Sequence, residues 1–312
     1  MSELVPILEA LVADARAGRD CTLCTVVRTK GSTPQRPGAA MLVRSDFTTV
    51  GTLGGGCVEA EVKKRAFEYM QRETRGCLFD FVLDHDYSWD DGLICGGRMF
   101  IAANPVRQGS SLQVYERALA RMAARRPVSI PLEMYEEGSR LTYALHLEVP
   151  PVLLIAGAGH VGQAVARLAA EVDFHVVVMD DRGDFATAER FPTGTELVIG
   201  PIAESLKRYP IDGSCYVVIV TRGHRNDHQA LEAVIGGQAG YLGLIGSKRK
   251  ARMIFGDLRA SGISQDRLDA VHTPVGLPIG AVTVPEIAVS IVAELIQVRR
   301  SQSPSLVEQI TE

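Results

Sequence analysis

The second half of the chain alternates short apolar runs with longer segments of helical periodicity. Five runs rich in Val, Ile, Leu and Tyr fit buried strands, at residues 152–156, 175–180, 197–200, 216–221 and 241–245. The segment after the first of these strands, residues 160–171, has the apolar spacing of a helix. Regular alternation of strands and helices is typical of a parallel, doubly wound sheet. We therefore predict an α/β, Rossmann-like domain in this half.

The first half has a different pattern, in which runs rich in Thr and Val are interrupted by amphipathic stretches. Strands are predicted at residues 21–29, 40–44, 49–53, 77–83 and 98–103, and helices at 3–17, 57–73 and 110–125. This mixture indicates a smaller α+β domain. Pro150 and Pro151 favour extended backbone and mark a linker. The predicted division is an N-terminal domain at 1–149, the Rossmann-like domain at 150–300 and a flexible tail at 301–312.

A glycine fingerprint follows the first strand of the second domain. Gly157, Gly159 and Gly162 lie between the run VLLIA and a predicted helix, with His160 inside the turn. Such a turn lets the backbone approach a pyrophosphate at the helix N-terminus. Asp180 follows Gly162 by 18 residues, close to the spacing of a carboxylate that binds a ribose 2′-hydroxyl. These residues are a candidate NAD site, and the alternative is a Rossmann fold that binds no dinucleotide.

A polar loop, TRGHRNDH, follows the fourth strand of this domain. Ligands of open α/β sheets bind beyond the carboxyl ends of the strands, so Arg222, His224, Asp227 and His228 are candidate crevice residues. The two histidines would share a helix face, with Asp227 as a third metal ligand or as the partner of an imidazole. We favour a crevice role without a metal over this arrangement. In the alternative without a binding role, Asp227 caps a helix and the histidines are surface residues. The later segment GSKRK (246–250) follows a predicted strand. Its sequence fits either an anion-binding loop or a solvated helix start.

Two cysteines of the first half stand beside glycines. Gly54, Gly55 and Gly56 precede Cys57 at a predicted helix start, where free backbone N–H groups attract anions and lower the pKa of a thiol. Cys95 lies in GLICGG (92–97). A thiolate is a nucleophile and a soft metal ligand, so these two residues suggest one site built around sulfur. The equal alternative is tight turns with small buried thiols. The remaining cysteines fit buried strand positions or structural roles: Cys21, Cys24, Cys77 and Cys215.

Composition narrows the class of protein. The 312 residues carry 33 Lys and Arg against 37 Asp and Glu, and this net charge of −4 provides no basic footprint for nucleic acid. No stretch of about 20 residues is free of charge and proline, so we predict no membrane span. The N-terminus lacks the pattern of a signal peptide. We expect a cytoplasmic protein whose thiols are reduced.

Taken together, these elements resemble the XdhC and CoxI family, accessory proteins of xanthine dehydrogenase and related molybdenum hydroxylases. The similar stretches run in the family's order over nearly the whole chain: GSTPQRPGAAMLV (31–43), GTLGGGCVEAEV (51–62), GLICGG (92–97), LLIAGAGHVG (153–162), TRGHRNDHQAL (221–231), YLGLIGSKRKA (241–251) and PVGLPIGAVTVPEIAVSIVAELI (274–296). The cysteine and TRGH elements are specific, whereas the glycine fingerprint alone is not.

The resemblance implies a function that the motifs alone do not. Family members are thought to bind molybdenum cofactor, to support the exchange of an oxo ligand for sulfido and to deliver the product to the apo-enzyme. The phosphate of molybdopterin would then suit the loop at 54–56, with Arg36 as an added cation. Cys57 or Cys95 would hold the metal centre or carry a persulfide. The implied partners are a xanthine dehydrogenase-type hydroxylase and a cysteine desulfurase, with a homodimer as a further expectation.

A cofactor-insertion chaperone is favoured over an enzyme that turns over a substrate, and two alternatives remain beside it. One is an NAD-dependent oxidoreductase, in which His224 or His228 handles a proton and Asp180 holds the ribose. The other is a scaffold that binds the hydroxylase and the desulfurase and keeps the Rossmann fold only for its shape.

Overall fold

A computed structural model of the chain describes residues 4–83, 97–136, 139–302 and 305–310. It divides into two compact units, residues 1–149 together with 304–312, and residues 150–303. In the described ranges no helix has the length and apolar character needed to cross a membrane.

The first unit contains a five-stranded antiparallel sheet with helices on both faces. Its elements are α1 (Leu4–Arg16), β1 (Cys21–Lys30), β2 (Ala40–Arg44), β3 (Thr49–Gly51), α2 (Gly56–Met70), β4 (Cys77–Val82), β5 (Arg98–Val106) and α3 (Ser110–Ala123), with the strands in the order β3-β2-β1-β5-β4. The alternation of β1 sends Cys21 and Leu23 into the core shared with α1 and α3, and Cys24 and Val26 into the core shared with α2. Cys21 and Cys24 therefore lie on opposite faces and do not form a dithiol pair.

A second, three-stranded sheet completes the first unit. It consists of β6 (Val128–Glu136), β7 (Ser139–Leu147) and β13 (Val307–Ile310), in the order β13-β7-β6. Ile130, Leu145 and Val307 join the core of α1 and α3. Within the segment predicted as a flexible tail at 301–312, residues 307–310 form β13, which pairs with β7, and Val307 is buried.

The second unit is a parallel sheet covered on both faces. Its elements are β8 (Val152–Ala156), α4 (His160–Glu171), β9 (His175–Asp180), β10 (Glu196–Ile199), α5 (Ile202–Arg208), β11 (Cys215–Ile219), α6 (His224–Val234), β12 (Tyr241–Leu244), α7 (Lys248–Ala260), α8 (Gln265–Asp269) and α9 (Val284–Gln302). The strands lie in the order β10-β9-β8-β11-β12, all parallel.

This topology confirms the predicted α/β Rossmann-like fold. The chain moves outward from β8 to β10, returns to β11 and continues outward to β12, so the order reverses beside β8. In such sheets the crevice beyond the carboxyl ends of the strands at the reversal is where ligands bind. Helices α4 and α9 pack on one face, and α5 to α8 on the other.

Candidate functional site

Three motifs of the first unit meet at one place. Gly54 has a φ of 104°, and a Cβ there would lie 2.6 Å from Pro34 Cβ. Gly97, the last residue of GLICGG, lies so close to Ser32 that a Cβ would be 2.0 Å from the Ser32 carbonyl oxygen. Only residues without side chains permit both approaches. The turn at 31–38, the glycine loop at 51–56 and the start of β5 are therefore packed together.

The glycine loop already holds an anion, the carboxylate of Glu59. Its Oε1 accepts hydrogen bonds from Leu53 N–H and Gly55 N–H, each 2.9 Å long, and from Thr52 Oγ1. Gly54 N–H donates to Thr52 Oγ1 at 3.1 Å. Burial would raise the pKa of Glu59, but the bonds from Thr52 and the loop amides outweigh burial and lower the pKa.

These hydrogen bonds bear on the loop at 54–56, which was predicted to bind a phosphate. The backbone N–H groups of Gly54 and Gly55, predicted to be free for an anion, donate instead to Thr52 and Glu59. Binding of molybdopterin by these glycines stays a prediction. Sequence reasoning missed Glu59 as the acceptor. This residue lies in the first turn of α2, and its side chain folds back onto the loop that precedes the helix. A phosphate role for Gly56 stays a prediction. Arg36 is exposed on the neighbouring turn, and its contact with an anion also stays a prediction.

The structure describes the backbone position of one of the two candidate cysteines. Cys57 is the second residue of α2, as its predicted place at a helix start requires, and Cys95 lies outside the described residues. The other four are strand residues. Burial raises the pKa of the Cys21 thiol to about 12 and that of Cys77 to about 11. Burial also raises the pKa of Cys24 and of Cys215, so none of these four is a thiolate near neutral pH.

The glycine fingerprint of the second unit forms the turn that the sequence predicts. Gly157 has a φ of 122°, and a Cβ there would lie 2.6 Å from the Val220 carbonyl oxygen. A Cβ at Gly162 would lie 2.0 Å from the Gly157 carbonyl oxygen, so this glycine allows α4 to pack on the turn. A Cβ at Gly159 would meet no atom within 4 Å, and His160 is exposed as the first residue of α4.

The carboxylate expected to hold a ribose is already bound. Asp180 is buried, and it accepts from Ala158 N–H at 2.7 Å, from Arg182 N–H at 3.0 Å and from the Arg182 guanidinium at 2.8 and 2.9 Å. Burial would raise the pKa of Asp180, but the bonds from Arg182 and Ala158 lower it to about 2. With both oxygens engaged, Asp180 offers a ribose diol no open acceptor, and the residues do not fit the NAD site that the spacing suggests.

The TRGH loop begins α6 and lies against the glycine turn. Arg222 is exposed and points across to Asp181, with Nη2 3.4 Å from Oδ2. Asp227 is buried and accepts from Thr221 Oγ1 at 2.6 Å and from Lys250 Nζ. The proposed roles of Asp227 as a metal ligand or imidazole partner are therefore not supported by its contacts. Lys250, from the GSKRK loop, is the partner that sequence reasoning missed.

The histidines of this loop remain candidates. Nε2 of His224 is buried and finds no hydrogen-bond partner among the residues that the structure describes, and His228 is half-buried one turn later. Within the same described ranges, no three His, Cys, Asp or Glu side chains are grouped so that they could hold a metal ion.

Together, the fold and the site define a two-unit α/β protein with a glycine-cysteine helix start in one unit and a Rossmann-type turn in the other. Two family models match it: one for the XdhC and CoxI family over residues 14–81, and one for the XdhC Rossmann domain over 153–295. The chain belongs to the XdhC and CoxI family, which confirms the predicted resemblance.

Several known proteins are similar along most of the chain. YqeB of Escherichia coli K12, described as uncharacterized, is 31% identical over 285 residues, which are 89% of this chain but only 43% of YqeB. A probable xanthine dehydrogenase subunit of Bacillus subtilis 168 is 28% identical over 337 residues, covering 96% of this chain and 98% of that protein. The molybdenum cofactor insertion chaperone PaoD of Escherichia coli K12 is 26% identical over 309 residues, covering 95% and 89%.

A solved structure shares the fold. The crystal structure of a xanthine dehydrogenase from Bacillus halodurans superposes with a TM-score of 0.81 at 24% identity. The match covers 96% of this chain and 97% of the other.

Proposed function

We propose that this chain is a cytoplasmic accessory protein that binds molybdenum cofactor, supports its sulfuration and delivers it to a xanthine dehydrogenase-type molybdenum hydroxylase. The similarity to PaoD and to the Bacillus subtilis protein supports the general role in cofactor insertion. The sulfuration step, with a cysteine desulfurase as sulfur donor, rests on the two glycine-flanked cysteines. A homodimer also remains part of the proposal.

The observation that carries this proposal is the meeting of three motifs in the first unit. Packing of Gly54 on Pro34, and of Gly97 on Ser32, brings the helix start of Cys57 to the turn that carries Arg36. Cys95 stands two residues before Gly97 in the sequence. A cofactor with a soft metal centre and a phosphate needs thiol sulfur and a cation close together, and these segments carry both.

In this function the residues bind and orient a cargo. The bonds from Leu53 and Gly55 to Glu59 fix the loop, so the start of α2 keeps one position relative to the turn at 31–38. The Cys57 and Cys95 thiols would hold the metal centre or carry sulfur toward it. The cofactor supplies the molybdenum chemistry, and the chain keeps the cargo in place until the hydroxylase accepts it.

The test is anaerobic purification of the full chain from cells that make molybdopterin, followed by fluorescence detection of the oxidised pterin. We expect pterin in the wild type and loss of at least about tenfold in Cys57→Ala or Cys95→Ala, because each removes a soft ligand. Cys77→Ala is the matched control, since the same change in the same unit removes a thiol of raised pKa. A wild type that never retains pterin would remove the basis of the proposal.

The NAD-dependent alternative has no comparable support. It needs Asp180 as an acceptor for a ribose hydroxyl, and Arg182 and Ala158 already occupy that carboxylate. Tight NADH binding by the wild type, abolished by Asp180→Ala, would revive this alternative.

A further inference from the structure

The second unit carries a dense group of cations at the carboxyl edge of its sheet. The segment 246–252, GSKRKAR, has four basic residues and no acid, and Arg225 lies in the neighbouring TRGH loop. Strands β11 and β12 are parallel neighbours, so the loops after them leave the same edge. The bond between Lys250 and Asp227 joins the first turn of α7 to the first turn of α6. We call this group of Arg225, Lys248, Arg249 and Arg252 the basic edge.

These four cations have no carboxylate partner among the described residues, although Arg252 Nε donates to the Lys248 carbonyl oxygen at 3.3 Å. The only acid within the two loops, Asp227, is buried and bound to Lys250. Arg225, Lys248, Arg249 and Arg252 are all exposed, and in the described part of the chain none of them forms an ion pair with a carboxylate. By contrast, the arginines near the glycine turn are engaged, Arg182 with Asp180 and Arg222 with Asp181.

Helix stability does not explain the placement of these residues. Lys248, Arg249 and Lys250 form the first turn of α7, which contains no acid. The N-terminal end of a helix carries the positive end of its dipole, so cations there are disfavoured and acids are preferred. Three successive cations at this position weaken the helix, and a solvated helix start would not need them. Their position is suited to an external anion instead.

We infer that the basic edge binds the phosphate or pyrophosphate group of a small ligand. It lies beyond the carboxyl ends of β11 and β12, where open α/β sheets bind ligands. In the first unit the amides of Leu53, Gly54 and Gly55 donate to Glu59 and Thr52, so these three amides are not open to a phosphate. The identity of the ligand as molybdopterin rests on the proposed function, whereas the preference for phosphate does not.

The test is calorimetric titration of the full-length protein with inorganic pyrophosphate at a fixed ionic strength of about 0.05 M, where surface charges are only weakly screened. We expect saturable binding by the wild type. The double variant Lys248→Glu/Arg249→Glu should bind at least about tenfold more weakly, because two contacting cations become anions. Pyrophosphate should slow the hydrogen exchange of backbone amides in 246–252 in the wild type but not in the double variant.

The chain offers a matched control in the same unit. Lys207 and Arg208 are an exposed Lys-Arg pair at the C-terminal end of α5. Lys207→Glu/Arg208→Glu makes the same change of net charge but should leave the affinity within about twofold, since these cations lie away from the basic edge. Acids at a helix C-terminus are destabilising, whereas acids at the start of α7 are favourable. A general loss of stability would therefore affect the control more than the test variant.

Three results would overturn the inference. The first is the absence of saturable pyrophosphate binding by the wild type. The second is equal weakening in the test and control variants, which would show a nonspecific effect of net charge. The third is tighter binding of a hexaglutamate peptide than of pyrophosphate, which would make the basic edge a docking surface for an acidic protein. Retention of pterin is measured separately, so none of these results by itself contradicts the proposed function.

Discussion

Replacing Lys250 with Met should destabilise the second unit, because it removes the cation that pairs with the buried carboxylate of Asp227. Asp227 has no exposed surface, and in the variant its carboxylate keeps only the 2.6 Å bond from Thr221 Oγ1. Removing one partner of a buried ion pair leaves an uncompensated charge and costs about 3–5 kcal/mol. Lys250→Met should therefore lower the free energy of unfolding by about that amount.

Removing the charge of Asp227 instead of that of Lys250 should lower the free energy of unfolding by less. Asp227→Asn keeps an oxygen for the Thr221 hydroxyl, and Lys250, whose side chain is 26% exposed, can turn to water. We expect a loss of about 1–2 kcal/mol, the range for an altered hydrogen bond. The double variant should lose less than the sum of the single losses, because the unpaired carboxylate is gone.

Urea denaturation followed by circular dichroism measures these differences, with hydrogen exchange in α6 and β11 assigning the transition to the second unit. The control is Lys248→Met, an exposed lysine in the same turn of α7, which should stay within about 0.5 kcal/mol of the wild type. If Lys250→Met is no less stable than this control, the pair with Asp227 does not hold the two loops.

Three further predictions concern the glycine turn, its acid and a thiol. Gly162→Ala should destabilise the second unit by several kcal/mol in thermal unfolding, because its Cβ would meet backbone at 2.0 Å, whereas Gly159→Ala has open space and should fold normally. The folded pKa of Asp180 is about 2, below an unfolded value of about 3.9, so its ion pair stabilises the protein above about pH 4 and is lost toward pH 2. A stability gap on the order of 1–2 kcal/mol between wild type and Arg182→Leu should consequently close over that range in acid titrations. Cys77, with a pKa of about 11, should react with iodoacetamide at pH 8 at least about tenfold more slowly than glutathione, as peptide mass spectrometry will measure.

Local periodicity predicts most of the second unit because its inner strands β8, β9 and β11 are buried on both faces. Residues 152–156 form a wholly apolar run, and a run of that kind followed by a glycine turn and a helix fits few structures other than a parallel strand. The same reasoning does not reach β6 and β7, where Pro131 and charged residues interrupt the pattern. It also does not reach β13, because the pairing of Val307 with Leu145 joins positions far apart in the sequence.

Candidate site residues are predictable as residue types and positions, but their bonding partners are not. The spacing of Asp180 from Gly162 correctly places a carboxylate at the end of β9. It does not show that Arg182, only two residues later, turns back onto that carboxylate. Asp227 is a stronger example, since its partner Lys250 comes 23 residues later and from the next strand–helix loop.

The contacts of the three acids favour one kind of ligand over another. A protein recognises ribose hydroxyls through carboxylates that are free to accept hydrogen bonds. Here Asp180 is bound by Arg182, Asp227 is bound by Lys250, and Glu59 is bound by the glycine loop. The described residues instead include exposed cations near these acids. They are Arg36 in the first unit and the basic edge in the second. In a chain with a net charge of −4, an anionic ligand gains little from the overall field and depends on local groups such as these cations. The chain is therefore better suited to binding phosphate groups than to binding the sugar of a nicotinamide dinucleotide.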